Sequence, residues 1–240
     1  ELQGTVLLRN PRLAPVRSVS VEQMVGESAA RRAEGRPGMV LDLGMAASFP
    51  FMAACGGTLM RIDQEFALDR DVGICWLELL QQMAGAARVE TNNDVDLNLF
   101  RQGQSPWLVE STDILAGLQS ELGEELVVLD PWPALESTGG ELSGYTWTQN
   151  AYLRSGLPQD DADVTWAFVQ FLLSPEWQVK RSDVAGRIHV PVREDPGVLT
   201  ERVRAVRQQL LANTPYPLGR NLEPLVAALE RAARLVGRMW

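Results

Sequence analysis

Four stretches decide the architecture, in this order: FRQGQSPWLVES (residues 100–111), ELVVLD (125–130), WTQNAYLRSG (147–156) and DDADVTWAFVQFLLSPEWQVKRSD (160–183). The apolar runs in the first two are short and rich in β-formers, as buried strands are. Between them Thr112 and Asp113 are placed to cap the helix DILAGLQSELG, and the PWP at 131–133 breaks the second strand. Strands alternating with helices imply an α/β layer built on a largely parallel sheet. In the last stretch Asp160 or Asp161 opens a helix with Val164, Ala167, Phe168, Phe171 and Leu172 at helical spacing, and Ser174 with Pro175 opens its neighbour.

The pattern continues on both sides. Upstream, GTVLLRNPRLAP (4–15) is a strand followed by a turn, and Ser20 with Gln23 forms a capping box for a helix to about Glu34, ended by Gly35, Pro37 and Gly38. MVLDL (39–43) is a buried strand. Helices are expected at about 49–54, 71–84 and 92–100, with Gly56 and Gly57 as a stop between the first two. Downstream, STGGELSG (137–144) is a crossing loop and GYTWTQNAYL (144–153) a strand. The chain then turns helical through ERVRAVRQQLL and NLEPLVAALERAARLVG, joined by TPYPLG. Val203, Val206 and Leu210, then Leu225, Ala228, Leu229 and Ala232, recur at helical spacing and face a core.

This succession resembles the second half of the bacterial extracellular solute-binding proteins of family 1, the sugar-capturing subunits of ABC importers. The most specific element is FVQFLLSPEWQ (168–178), similar to the family's F-L-S-E-Q helix pair, and NPRL (10–13) is similar to its N-P-x-L turn. The resemblance covers nearly the whole chain. It implies a periplasmic-binding-protein-like type II lobe, α/β, mostly parallel in its sheet and flanked by helices, with a helical excursion. Residues 1–142 and 199–240 would form one discontinuous domain. Residues 143–198 would be the excursion, belonging to a first lobe that nothing upstream of Glu1 supplies.

The resemblance further implies an importer component, periplasmic or extracellular, that holds a carbohydrate non-covalently in a cleft and works with an ABC permease. Trp107 stands where such proteins hand an aromatic side chain to the ligand; Phe49 offers a second ring, and Arg220 and Glu223, at the start of the last helix, could bond hydroxyls. One departure is plain: the loop after MVLDL reads LGMAASFP, with Gly44, Ala46 and Ala47 where the resemblance implies an acidic and an aromatic residue for the ligand. The alternative reading is a truncated or degenerate solute-binding fold serving as a protein-interaction or sensor module.

Composition excludes several other classes. A net charge of −9 argues against a phosphate backbone as partner, since nucleic-acid affinity rests on clustered Lys and Arg. No apolar run approaches the roughly 20 residues a membrane span needs. The sequence holds no GxSxG, P-loop or dinucleotide fingerprint, so no enzyme, cofactor or catalytic residue is expected. Carboxylate pairs such as Asp94 and Asp96 sit at helix starts, where acidic residues satisfy amides. The single His189 has no Cys or His at ligand spacing, which leaves no metal site. Cys55 and Cys75 would suit an exported protein if bridged, but both lie in apolar helical contexts and are expected to be free, buried thiols. Finally, the apolar stripe of 143–198 needs a cover, and a homodimer through Trp166, Phe168, Phe171 and Trp177 is expected.

Overall fold

A computed structural model describes residues 1–60, 70–86, 88–90, 94–184, 187–192, 198–217 and 222–237. The chain begins with strand β1 (Leu2–Arg9), helix α1 (Val21–Ala33), β2 (Val40–Asp42), α2 (Met45–Ala54), α3 (Arg70–Ala86), β3 (Arg88–Glu90), α4 (Val95–Arg101) and β4 (Trp107–Ser111). It continues through α5 (Thr112–Leu122), β5 (Val128–Asp130), the hairpin β6 (Ala134–Leu135) and β7 (Gly140–Glu141), and β8 (Tyr145–Thr148). There follow α6 (Gln159–Leu172), α7 (Pro175–Ser182), β9 (Asp183–Val184), β10 (Arg187–Ile188), α8 (Glu201–Ala212), β11 (Thr214–Pro215) and α9 (Glu223–Gly237).

The local signals explain most of these boundaries. Ser20 caps α1 by accepting from the Gln23 amide at 3.2 Å, while the Gln23 side chain accepts from Val19 N–H at 3.0 Å, so the box closes one residue early. Thr200 caps α8 through Val203 N–H, and Ser174 accepts from Trp177 N–H at the start of α7. Thr112 does not cap α5. Its hydroxyl accepts from Gly4 N–H at 3.2 Å and ties α5 to β1. Nor do Asp160 and Asp161 cap α6, whose N-cap is Pro158; they fill its first turn.

β1 organises the sheet. It pairs antiparallel with β8 over Leu2–Gly4, with β4 over Thr5–Arg9 and with β5 over Leu7–Arg9. The sheet is therefore mixed rather than mostly parallel. β4, β5 and β8 share one direction, as strand–helix–strand alternation requires, and β11 runs parallel to β8, but β1 lies among them reversed. Where β1 passes β8 and α8, a Cβ on Gly4 would stand 2.3 Å from the Tyr145 carbonyl and 2.7 Å from the Leu210 side chain, so only glycine fits.

Strand pleating sends successive residues to two cores. On one face Leu7, Trp107 and Val109 meet Met24, Leu41, Phe49, Met52, Trp76 and Leu80 from the α1, α2 and α3 layer. On the other, Val6, Leu8 and Leu108 meet Phe100, Leu115, Leu118, Val203, Val206 and Leu210. One buried ion pair crosses the sheet edge: Arg9 Nε lies 2.6 Å and Nη2 3.2 Å from the two Asp130 oxygens, and Nη1 donates to Ala14 O at 2.8 Å. That fork pins the turn after β1 to the end of β5.

The cysteines correct the sequence expectation. Cys55 and Cys75 form a disulfide, with Cα atoms 5.9 Å apart, joining the C-cap of α2 to α3. Both are half-buried. A small thiol on an apolar helix face reads the same in sequence whether it packs alone or meets another, and only the approach of α2 to α3 distinguishes the two.

Candidate functional site

Ligands of open α/β sheets sit beyond the carboxyl ends of the strands, where loops and helix N-termini converge. Here β2 ends at Asp42 and β4 at Glu110 and Ser111, and a cleft of about 190 Å³ lies beside them. Its walls are Asp42, Gly44, Met45, Ala46, Ala47, Asp96, Val109, Glu110 and Glu230. Carboxylates from β2, α4, β4 and α9 thus meet around one small space.

Each is held. Asp42 accepts from Gly44 N–H at 2.7 Å, turning the chain into α2. Gly44 is the N-cap of α2 and has no side chain to satisfy the helix, so Glu230 caps from α9 instead, accepting from Met45 N–H at 3.1 Å. Arg234, a turn later, stands 3.8 Å from Glu230. The next amides of α2, on Ala46 and Ala47, have no acceptor within the helix, and both residues line the cleft. Asp96 accepts from Leu97 N–H at 2.8 Å and Glu110 from Ser111 N–H at 2.6 Å. Asp94, before α4, has φ 54°, the one non-glycine residue with positive φ among those described.

Burial sets the electrostatics. Desolvation, with the charges of Asp42 and Asp94 adding to it, pushes the Asp96 carboxyl up to about 6, against the Leu97 hydrogen bond. Glu110 is raised for the same reason, with Asp96, Asp113 and Asp94 contributing. The site therefore offers several acceptors and two amide donors, with part of its negative charge titrating below neutral pH. Among the described residues no cluster of His, Cys, Asp and Glu could hold a metal ion.

Of the four residues singled out from sequence, Trp107, Phe49 and Glu223 do not line this cleft. Trp107 is fully buried, with its indole Nε1 unpaired. It begins β4 and points into the core beside Val109, at the end of the strand away from the cleft. Phe49 is fully buried too, its ring stacked on Tyr145 with centroids 3.6 Å apart. Neither ring presents a face to a ligand. Glu223 is exposed on the first turn of α9, the helix that also carries Glu230, and Arg220 lies outside the described residues. Sequence reading missed Asp42, Asp96, Glu110 and Glu230. The strand-end rule would have found two of them, because MVLDL and WLVES carry their acidic residues at their carboxyl ends.

Beyond Glu110 the chain passes through Ser111, whose hydroxyl is hydrogen-bonded to Asp113, to a second, polar cleft. It measures about 400 Å³ and is bordered by Thr112, Asp113, Gln149, Arg181, Arg187 and His189. The Nδ1 of His189 stands 2.9 Å from the Glu1 carboxylate, which joins β10 to the start of β1.

No protein-family model matches this sequence, and no curated protein matches it. Solved structures do. T. maritima MalE3 bound to maltose matches 99% of this chain at a TM-score of 0.74 and 14% identity. The maltose/maltodextrin-binding domain MalE of Bdellovibrio bacteriovorus, bound to maltotriose, matches 99% at 0.76 and 11% identity. The maltose-maltodextrin binding protein of Alicyclobacillus acidocaldarius matches 100% at 0.78 and 15% identity. The fold is that of a type II periplasmic binding protein. This chain spans 66–70% of the length of those three proteins. Among the described residues no helix is long and apolar enough to cross a membrane.

Proposed function

We propose that this chain is the ligand-holding part of a solute-binding protein serving an ABC importer, periplasmic or extracellular, and that it takes a carbohydrate without chemically changing it. The observation that carries the reading is the cleft at the ends of β2 and β4. A sugar hydroxyl both donates and accepts, and the cleft supplies both partners: Asp42, Asp96, Glu110 and Glu230 as acceptors, Ala46 and Ala47 N–H as donors. Its volume suits one small polar ring better than a drug-sized ligand. The fold likeness to maltose- and maltotriose-bound proteins supports the solute class. Glu223 keeps a place in the proposal as a hydroxyl acceptor two helical turns from Glu230 on the same face of α9.

Calorimetry with maltose, maltotriose and a panel of monosaccharides tests this. Binding heat that Glu110→Gln and Asp96→Asn reduce at least about tenfold supports the site, since each removes a charge-assisted acceptor. Heat that both variants leave unchanged would move the ligand to another surface. The absence of heat with every sugar would favour the second reading, a solute-binding fold used as a protein-interaction module, for which the exposed apolar face of α6 is the specific observation.

A further inference from the structure

The cleft at the ends of β2 and β4 is lined by four carboxylates and, among the described residues, by no Lys, Arg or His. The four divide into two pairs. Asp42 and Glu230 flank the start of α2, where they accept from Gly44 N–H and Met45 N–H, and Glu230 also has Arg234 3.8 Å away. Asp96 and Glu110 stand where α4 packs against β4, and each accepts from the amide of the next residue. Asp96 is only 6% exposed although it lines the cleft, and its Oδ2 takes no hydrogen bond from any other described residue. A buried carboxylate with one oxygen left without a donor is costly unless something from outside completes it.

Like charge adds to that cost. Asp42 and Asp94 act on Asp96, while Asp96, Asp113 and Asp94 act on Glu110, and no described cation offsets them. Among the described residues no group of three acidic, imidazole or thiol side chains is placed to hold a metal ion. The neutralising charge therefore has to arrive on a body that fills the cleft.

We infer that the ligand of this cleft is an amino sugar, its ammonium set between Asp96 and Glu110 and a ring hydroxyl set against the Ala46 and Ala47 amides. The inference rests on the carbohydrate reading of the same cleft. An ammonium brings three donors and the opposite charge to two carboxylates that lack a cation. The Ala46 and Ala47 amides need an acceptor, which a hydroxyl is and an ammonium is not. A plain amine would satisfy one side of the cleft and a neutral sugar the other; an amino sugar satisfies both. The volume of about 190 Å³ leaves room for one such ring.

Calorimetry on the purified chain at about pH 7 compares glucosamine with glucose and with N-acetylglucosamine, which keeps the nitrogen and removes its charge. Glucosamine should bind at least about tenfold more tightly than either, because only it forms charge-assisted hydrogen bonds from an ammonium. Asp96→Asn and Glu110→Gln should each shrink that ratio at least about threefold, with circular dichroism unchanged. Glu176→Gln, which removes an exposed carboxylate on α7, should leave the ratio as it is, separating the cleft from the net charge of −9. Equal affinity for glucose and glucosamine, a preference that neither cleft variant shrinks, or one that Glu176→Gln shrinks as much, would overturn the inference and leave the carbohydrate reading standing. No heat from any of the three sugars would overturn both.

Discussion

Helices α8 and α6 carry the same kind of apolar stripe, yet one is core and the other surface. In α8, Val203, Val206 and Leu210 are buried against β1 and α5. In α6, Val164, Phe168 and Phe171 stand exposed, with larger side chains than those of α8. Periodicity therefore specifies which face of a helix is apolar, not whether anything in the chain covers it. What decides is the presence of a sheet opposite, and the five strands organised by β1 serve α8 and not α6.

The largest effect that would sharpen this contrast is expected at Trp107. Trp107→Ala removes a fully buried indole from the sheet-backed core and should cost about 3–5 kcal/mol in urea unfolding. A loss below about 1 kcal/mol would mean that the indole is not packed as described, and would reopen a ligand role for it. Next comes the disulfide. The Cys55–Cys75 bridge spans a sequence separation of 20 and should contribute about 3 kcal/mol by restricting the unfolded chain. Unfolding followed with and without reductant measures that difference. Titration in denaturant without reductant should find no reactive thiol, and two free thiols would break the bridge assignment.

How much of this was legible beforehand depends on what each feature is made of. Caps and stripes are local, so α1, α7, α8 and the strand WLVES were readable from spacing alone. β11 was not, because Thr214 and Pro215 sit in a proline-containing turn and become strand only by pairing with Tyr145 and Thr146. The disulfide and the cleft are products of long-range approach. Glu230 meets the start of α2 across 185 residues, and no local pattern marks it. Trp107 differs for another reason: its ligand role was implied by the family resemblance, which says nothing of the pleat, and the pleat sends the indole into the core. Asp94 and Asp96 were set aside as helix-start residues. Asp94 does precede α4 and Asp96 stands in its first turn, where its carboxylate accepts from Leu97 N–H and stays buried beside the cleft.

A smaller effect is expected at Asp96, and it has a sign. Its folded value of about 6 lies above the ordinary 3.8, so the folded state holds the proton more tightly than the unfolded chain does. Well below pH 3.8 the group is neutral in both states and costs nothing. As pH rises through 3.8 and on through 6, the unfolded chain ionises first, the folded protein is then made to bury a charge, and stability falls. Asp96→Asn keeps an acceptor for Leu97 N–H, so it should raise stability at pH 8 by about 1 kcal/mol and leave it nearly unchanged at about pH 2.5. A variant equally stabilised at both pH values would show that volume or hydrogen bonding, not charge, is responsible.

The smallest effect sets the two helices against each other with a single residue type. Val203 in α8 is fully buried and Val164 in α6 is 72% exposed. Truncating Val203 to Ala removes two buried methyl groups and leaves a small cavity, a loss of about 2 kcal/mol. The same truncation at Val164 removes methyl groups that already face water, and alanine is the better helix former, so stability should change by no more than about 0.5 kcal/mol in either direction. The measurement belongs at nanomolar concentration, where a second copy adds nothing by mass action. A cost at Val164 comparable to that at Val203 under those conditions would mean that α6 is covered within a single chain, and the contrast between the two helices would fall with it.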